Sequence, residues 1–144
     1  MEFERMHSPG YLANHVARLF ASGLQERIKP LGIVPGQFPA LLELFERDGL
    51  TQKELVGRLD VEQATLANTL ARMERDGLIT RREHPADSRA RTIHLTEKAR
   101  AIRERAYEAA NDTNEAVLAG LAPDERRQFI ALMQKTIQAN NPDA

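Results

Sequence analysis

The chain has 144 residues, 42% hydrophobic and 28% charged, the composition of one globular domain. It contains no cysteine, so disulfide scaffolds, thiol nucleophiles and cysteine zinc sites are ruled out. Twenty basic residues against 21 acidic give a net charge of -1, which as a total speaks against a strongly basic nucleic-acid binder.

Ser8-Pro9 reads as a helix start, with Ser8 as N-cap and Pro9 in the first turn. Leu12, Val16, Leu19, Leu24 and Ile28 then recur at helical intervals, and the helix ends near Pro30-Leu31-Gly32. After Pro35-Gly36, the spacing of Phe38, Leu41, Leu42 and Phe45 predicts a second helix that stops at Asp48-Gly49. Thr51-Gln52-Lys53-Glu54 has the capping-box form and opens a short third helix carrying Leu55, Val56 and Leu59, with Asp60 in the turn after it. Leu66, Leu70 and Met73 form the inward stripe of a fourth helix over roughly 62–76, and Gly77 supplies a left-handed stop.

The period then changes. Leu78 to Arg82 and Arg91 to Leu95 read as two strands, joined through the turn formers Pro85, Asp87 and Ser88 into a hairpin with a polar, basic tip. Thr96 caps a long fifth helix with Glu97 in its first turn. Its stripe is Ala99, Ile102, Ala106, Ala109, Ala110, Thr113, Ala116 and Val117, and Gly120 closes it. Pro123-Asp124-Glu125 opens a sixth helix with Phe129, Leu132, Met133 and Ile137 on its apolar face. Asn140 to Ala144 reads as a frayed end. The resulting fold class is mainly α with a small β-hairpin wing.

Two short helices joined by a tight turn form a helix-turn-helix, which presents its second helix to the DNA major groove. Here that is the fourth helix. With Leu66, Leu70 and Met73 inward, Gln63, Ala64, Ala67, Asn68, Ala71 and Arg72 lie outward or on the flanks. Asn68 suits adenine and Arg72 guanine or phosphate; Ala64 and Ala67 permit close approach to a thymine methyl; Gln63 and Thr65 suit phosphate oxygens. The charge is unevenly spread. Residues 81–105 hold eight basic and four acidic residues, a local +4, leaving -5 on the remainder. Phosphate contact depends on that local excess, carried in the wing by Arg81, Arg82, Arg89 and Arg91.

The segment from Leu59-Asp60-Val61-Glu62 through Arg75-Asp76-Gly77-Leu78-Ile79 resembles MarR-type winged-helix repressors. So do Pro85-Ala86-Asp87-Ser88-Arg89-Ala90-Arg91, with the D-x-R wing signature at Asp87 and Arg89, and Ile93-His94-Leu95-Thr96. Upstream, Pro30-Leu31-Gly32 and Pro35-Gly36-Gln37-Phe38 match the entry into the second helix, so the likeness extends over about residues 10–139. The resemblance implies one winged helix-turn-helix lobe (residues 35–95) flanked by helical dimerisation segments (8–34 and 96–139). It implies an obligate homodimer, a fourth helix in the major groove, and a wing whose tip arginine, Arg89, enters the minor groove while Asp87 holds it. Two positions depart from the family habit of Ser or Thr caps, Val34 before the second helix and Ala122 before the sixth. The absence of cysteine excludes the branch that senses peroxide through a thiol.

The apolar stripes of helices one, five and six exceed what one winged helix can cover, and a twofold copy supplies the remainder. Such a dimer sets its recognition helices about 34 Å apart, matching an inverted-repeat operator. Regulators of this type commonly bind small phenolic or lipophilic effectors; the matching regions hold Tyr11, His15, Arg18, Phe38, Leu42 and Arg103, with His15 favoured as a partly buried structural histidine. No catalytic motif occurs, and neither a metal site, a cofactor nor an enzymatic activity is expected. No apolar run is long enough to span a membrane, and Met1 to Met6 lacks a signal-peptide core, so a cytoplasmic location is expected. The competing reading is a winged-helix dimer that binds another protein and no DNA.

Overall fold

Residues 2–87 and 89–141 are described by a computed structural model. Ser88, one of the turn formers, lies outside the described residues, as do Met1 and residues 142–144. The elements run α1 (Pro9–Ile28), α2 (Phe38–Glu46), β1 (Leu50–Thr51), α3 (Gln52–Leu59), α4 (Gln63–Arg75), β2 (Ile79–Glu83), β3 (Arg91–Leu95), α5 (Glu97–Ala101), α6 (Arg103–Val117) and α7 (Pro123–Asn140).

Local chemistry accounts for most boundaries. The Ser8 hydroxyl accepts from the Tyr11 N–H, with Pro9 in the first turn of α1. Thr51 and Glu54 exchange both capping-box hydrogen bonds at 3.1 Å. Asp60 closes α3 at φ 51°, a left-handed conformation that its short polar side chain tolerates. Gly77 ends the α4 turn at φ 77°. The missing hydroxyls at Val34 and Ala122 are partly replaced from the other side. Gln37 Oε1 accepts the Val34 N–H at 3.3 Å, and Glu125 Oε1 accepts the Ala122 N–H at 2.8 Å, so half of each capping box survives.

The three strands form an antiparallel sheet in the order β1-β3-β2. Ile79 faces Leu95 and Glu83 faces Arg91, while Leu50 and Thr51 pair with Ile93 and Thr92. The sequence pattern predicts only the hairpin; β1 is too short to show a period, and its partner is remote in sequence. The core beneath the sheet contains Leu41, Leu44, Leu50, Leu55, Leu70, Met73, Leu78 and Ile93, all at most 1% exposed.

The long fifth helix expected after Thr96 is interrupted. The Ile102 N–H bonds to the Ala99 carbonyl, three residues back, at 3.3 Å, and Ile102 sits at ψ 0°. Ile102 is buried at the point where the chain leaves β3, against which α5 packs, and joins α1, along which α6 packs. Close approach of α6 to α1 leaves little room at Gly23, where an added Cβ would stand 3.2 Å from the Thr113 methyl. Ala116, placed on the inward stripe by its spacing, is exposed. The last helix extends through Asn140, whose side-chain amide bonds the Thr136 carbonyl at 2.9 Å, rather than fraying there.

The terminal helix is anomalous for a single chain. α7 buries none of its side chains; Ile130, Leu132, Met133 and Ile137 are between 40% and 60% exposed. Among the described residues, no helix is long and apolar enough to cross a membrane.

Candidate nucleic-acid interface

The inward anchors of α4 are Leu66, Leu70 and Met73, each at most 2% exposed. They fix the opposite face outward. Gln63, Ala64, Thr65, Asn68 and Arg72 are exposed, and Ala67 is half-buried on the flank. Glu62, at the N-cap, makes no side-chain bond to the first turn, so the amides there keep their donors for an incoming acceptor. The far end of α4 is held firmly. Asp76 accepts from Arg75 Nε at 3.0 Å and from Gln37 Nε2 at 2.9 Å, and the Lys98 ammonium donates to the Asp76 carbonyl at 3.0 Å. The Arg75 guanidinium first, and the Gln37 amide second, hold the Asp76 carboxyl below its ordinary range. Gln37 itself is 2% exposed and ties the turn before α2 to the end of α4.

In the wing, one carboxylate organises the tip. Asp87 Oδ1 accepts the Arg89 backbone N–H at 3.0 Å and lies 3.4 Å from Arg89 Nε. The Ala90 N–H bonds the Asp87 carbonyl, and the His84 N–H bonds the Ala90 carbonyl, both at 3.1 Å. The Arg89 side chain, held at its base, is 91% exposed. Its ion pair contributes little to stability in water, but it narrows the directions that the guanidinium samples. Arg82 and Arg91 are exposed, with Arg91 opposite Glu83 in register. Arg81 is different. Its side chain is 23% exposed, its Nε stands 3.8 Å from Glu74 on α4, and that nitrogen is buried without a hydrogen-bond partner. It braces the wing against α4 rather than projecting from it.

Residues between α3 and the wing escaped the sequence reading. Thr51, Gln52 and Lys53 face Arg81, Arg89 and Arg91 across a cleft of about 530 Å³. The available signal was Lys53 in the first turn of α3, which looks like surface charge until the sheet brings it beside the wing.

The suspected effector residues separate into two groups. Phe38 and Leu42 line a cavity of about 300 Å³ between α1, α2 and α6, together with Phe20, Leu24 and Thr113. Tyr11, His15, Arg18 and Arg103 do not line it. In the single chain His15 is exposed rather than partly buried, on the outer side of α1. The Arg103 guanidinium sits 5.4 Å from the Tyr107 ring centre, and Tyr107 meets Phe45 edge-on at 5.6 Å.

The MarR family model matches residues 33–90, from the turn before α2 to the wing tip. Over that segment the chain matches the MarR family. Solved MarR-type structures share its whole architecture. A probable transcriptional regulator from Pseudomonas aeruginosa is 26% identical, with a TM-score of 0.86 over 92% of this chain and 99% of that one. A MarR mutant from E. coli, solved in complex with operator DNA, is 27% identical, with a TM-score of 0.82 over 88% and 91% of the two chains. BpsR of Bordetella bronchiseptica, whose DNA binding is regulated by 6-hydroxynicotinic acid, is similar in fold; it is 24% identical, with a TM-score of 0.79 over 88% and 96%. The chain therefore has the winged helix-turn-helix fold seen in MarR-type transcriptional regulators.

Proposed function

We propose that this chain is a MarR-family transcriptional regulator, a homodimer that binds an inverted-repeat operator in double-stranded DNA, represses transcription, and releases the operator when a small lipophilic or phenolic effector binds. The observation that carries this reading is the Asp87-held Arg89, exposed at the wing tip of the same lobe that presents Asn68 and Arg72 on α4. In the proposed complex α4 enters the major groove and the guanidinium enters the minor groove, whose negative potential favours it. Residues 35–95 serve as the DNA-binding lobe; residues 8–34 and 96–139 serve dimerisation. The exposed apolar side chains of α7 support the homodimer, because an isologous copy covers the same stripe on both protomers. The cavity against Phe38 and Leu42 supports an effector site, since it abuts α2 beside the Gln37 link to α4.

Fluorescence anisotropy with duplex DNA at 50 and 200 mM salt tests the reading. Affinity is expected to fall on the order of 10³-fold across that range through counterion release. Arg89→Ala should weaken binding to all duplexes, whereas Asn68→Ala should alter sequence preference and leave the salt dependence in place. A folded dimer that binds no duplex, or binds without salt dependence, refutes the proposal and favours a protein-binding module.

A further inference from the structure

We infer that the part of each half-site facing α4 is read as A·T pairs through thymine methyl groups, with Asn68 on an adenine between them. This rests on the DNA-binding reading above and specifies what that site recognises.

The buried side of α4 is fixed by Leu66, Leu70 and Met73. At about 100° per residue, the opposite crest is then Ala64, Asn68, Ala71 and Arg75. Ala64, Asn68 and Ala71 are exposed. Arg75 is committed to the helix end, where its Nε bonds Asp76. The Thr69 hydroxyl donates back to the Thr65 carbonyl at 3.1 Å, which uses its proton within the helix. Thr65 lies toward a flank, and Arg72 stands about as far from the centre of the crest as Ala71, on its other side. From Ala64 to Ala71 the helix rises roughly 10 Å, about three base-pair steps. Over that length the crest offers one group able to hydrogen-bond, the Asn68 amide, with a methyl on either side, and the Arg72 guanidinium follows one residue later.

The major groove decides what such a crest can read. Guanine presents two acceptors, cytosine an amino donor, and adenine an acceptor beside a donor; thymine alone presents a methyl. An alanine pressed onto guanine or cytosine strips water from a polar edge and returns no hydrogen bond, which is unfavourable. Pressed onto thymine it buries apolar surface on both sides, which is favourable. The Asn68 amide matches the paired donor and acceptor of adenine. Both residue types on the crest therefore select the same base pair. Guanine contacts, where the operator has them, fall to Arg72, beside Ala71 at the end of the segment.

The test begins with duplexes enriched by the purified full-length protein from a random pool. Enriched half-sites should carry A·T pairs across the segment that faces α4. Replacing their thymines by deoxyuridine, which removes only the methyl, should weaken binding about fourfold per contacted methyl. In Ala71→Ser, that deoxyuridine penalty should shrink at the facing step and persist elsewhere, as a coupled pair requires. Enrichment of G·C pairs at that segment, or equal affinity for thymine and deoxyuridine duplexes, overturns the inference while leaving DNA binding intact. Salt-dependent binding with no enriched sequence also overturns it, and absence of any duplex binding overturns the underlying reading with it.

Discussion

Changing both Leu132 and Ile137 to glutamate is predicted to dissociate the proposed dimer. In the single chain these side chains are 54% and 60% exposed, although they lie on the apolar face of an 18-residue helix. Full burial of such a side chain contributes about 1.5–3 kcal/mol, so covering the remaining half contributes roughly 1 kcal/mol each. A twofold interface counts each residue twice, which gives about 4 kcal/mol, or roughly 10³-fold in the dissociation constant. Glutamate adds the cost of desolvating a carboxylate, so this is a lower figure. Because α7 contributes no buried side chain to the fold of its own chain, each protomer should stay folded. Sedimentation velocity over a concentration series reads the dissociation constant, and far-ultraviolet circular dichroism checks the helix content. A change of less than about tenfold, or a wild-type protein that sediments as a monomer at every concentration, refutes the argument.

Two further substitutions test how the lobe is held together. Gly49→Ala places a side chain at φ 80°, with the new Cβ 3.2 Å from the His94 ring, which is itself held by a 2.8 Å bond to Thr92. It should cost about 1–2 kcal/mol, read as a lower Tm at fixed protein concentration; an unchanged Tm excludes the expected strain. Glu54 is held below its ordinary carboxylate range by the Thr51 backbone N–H first and the Thr51 hydroxyl second. A lowered folded-state value stabilises above the unfolded value, and the gain is lost as pH falls through the folded one. Glu54→Gln should therefore be less stable than wild type at neutral pH by ~0.5 kcal/mol at most, since solvent screens this exposed carboxylate, and the difference should shrink as pH falls through the carboxylate range, as measured by urea unfolding. A difference that persists undiminished in acid contradicts this account.

The elements that the sequence announces are those with a local chemical cause. Ser8-Pro9, the Thr51–Glu54 box, Asp60, Gly77 and Thr96 each act within a few residues of themselves, and each boundary lies where that chemistry puts it. What escapes notice depends on partners far along the chain. The pairing of Leu50 with Ile93, the link from Gln37 to Asp76 and the bracing of Arg81 against Glu74 have no local signature. The exposure of His15 has the same origin: Leu12 and Val16 line a cavity with Phe129 and Met133 of α7, a helix more than a hundred residues away, and His15 does not. Within the wing, the Asp87–Arg89 spacing was readable because the turn is local, whereas the cleft shared with Lys53 is not.

The break at Ile102 also bears on how the protein comes apart. Buried apolar contacts run without interruption from Leu70 and Met73 beneath the sheet, through Ala99 and Ile102, to Ala106 and Ala109 against α1. A polypeptide cut after Leu95 loses Ala99 and Ile102 from that packing and exposes the apolar surfaces they cover. The winged lobe is thus no detachable cassette. It shares one continuous core with the helical frame, so the two are expected to melt together.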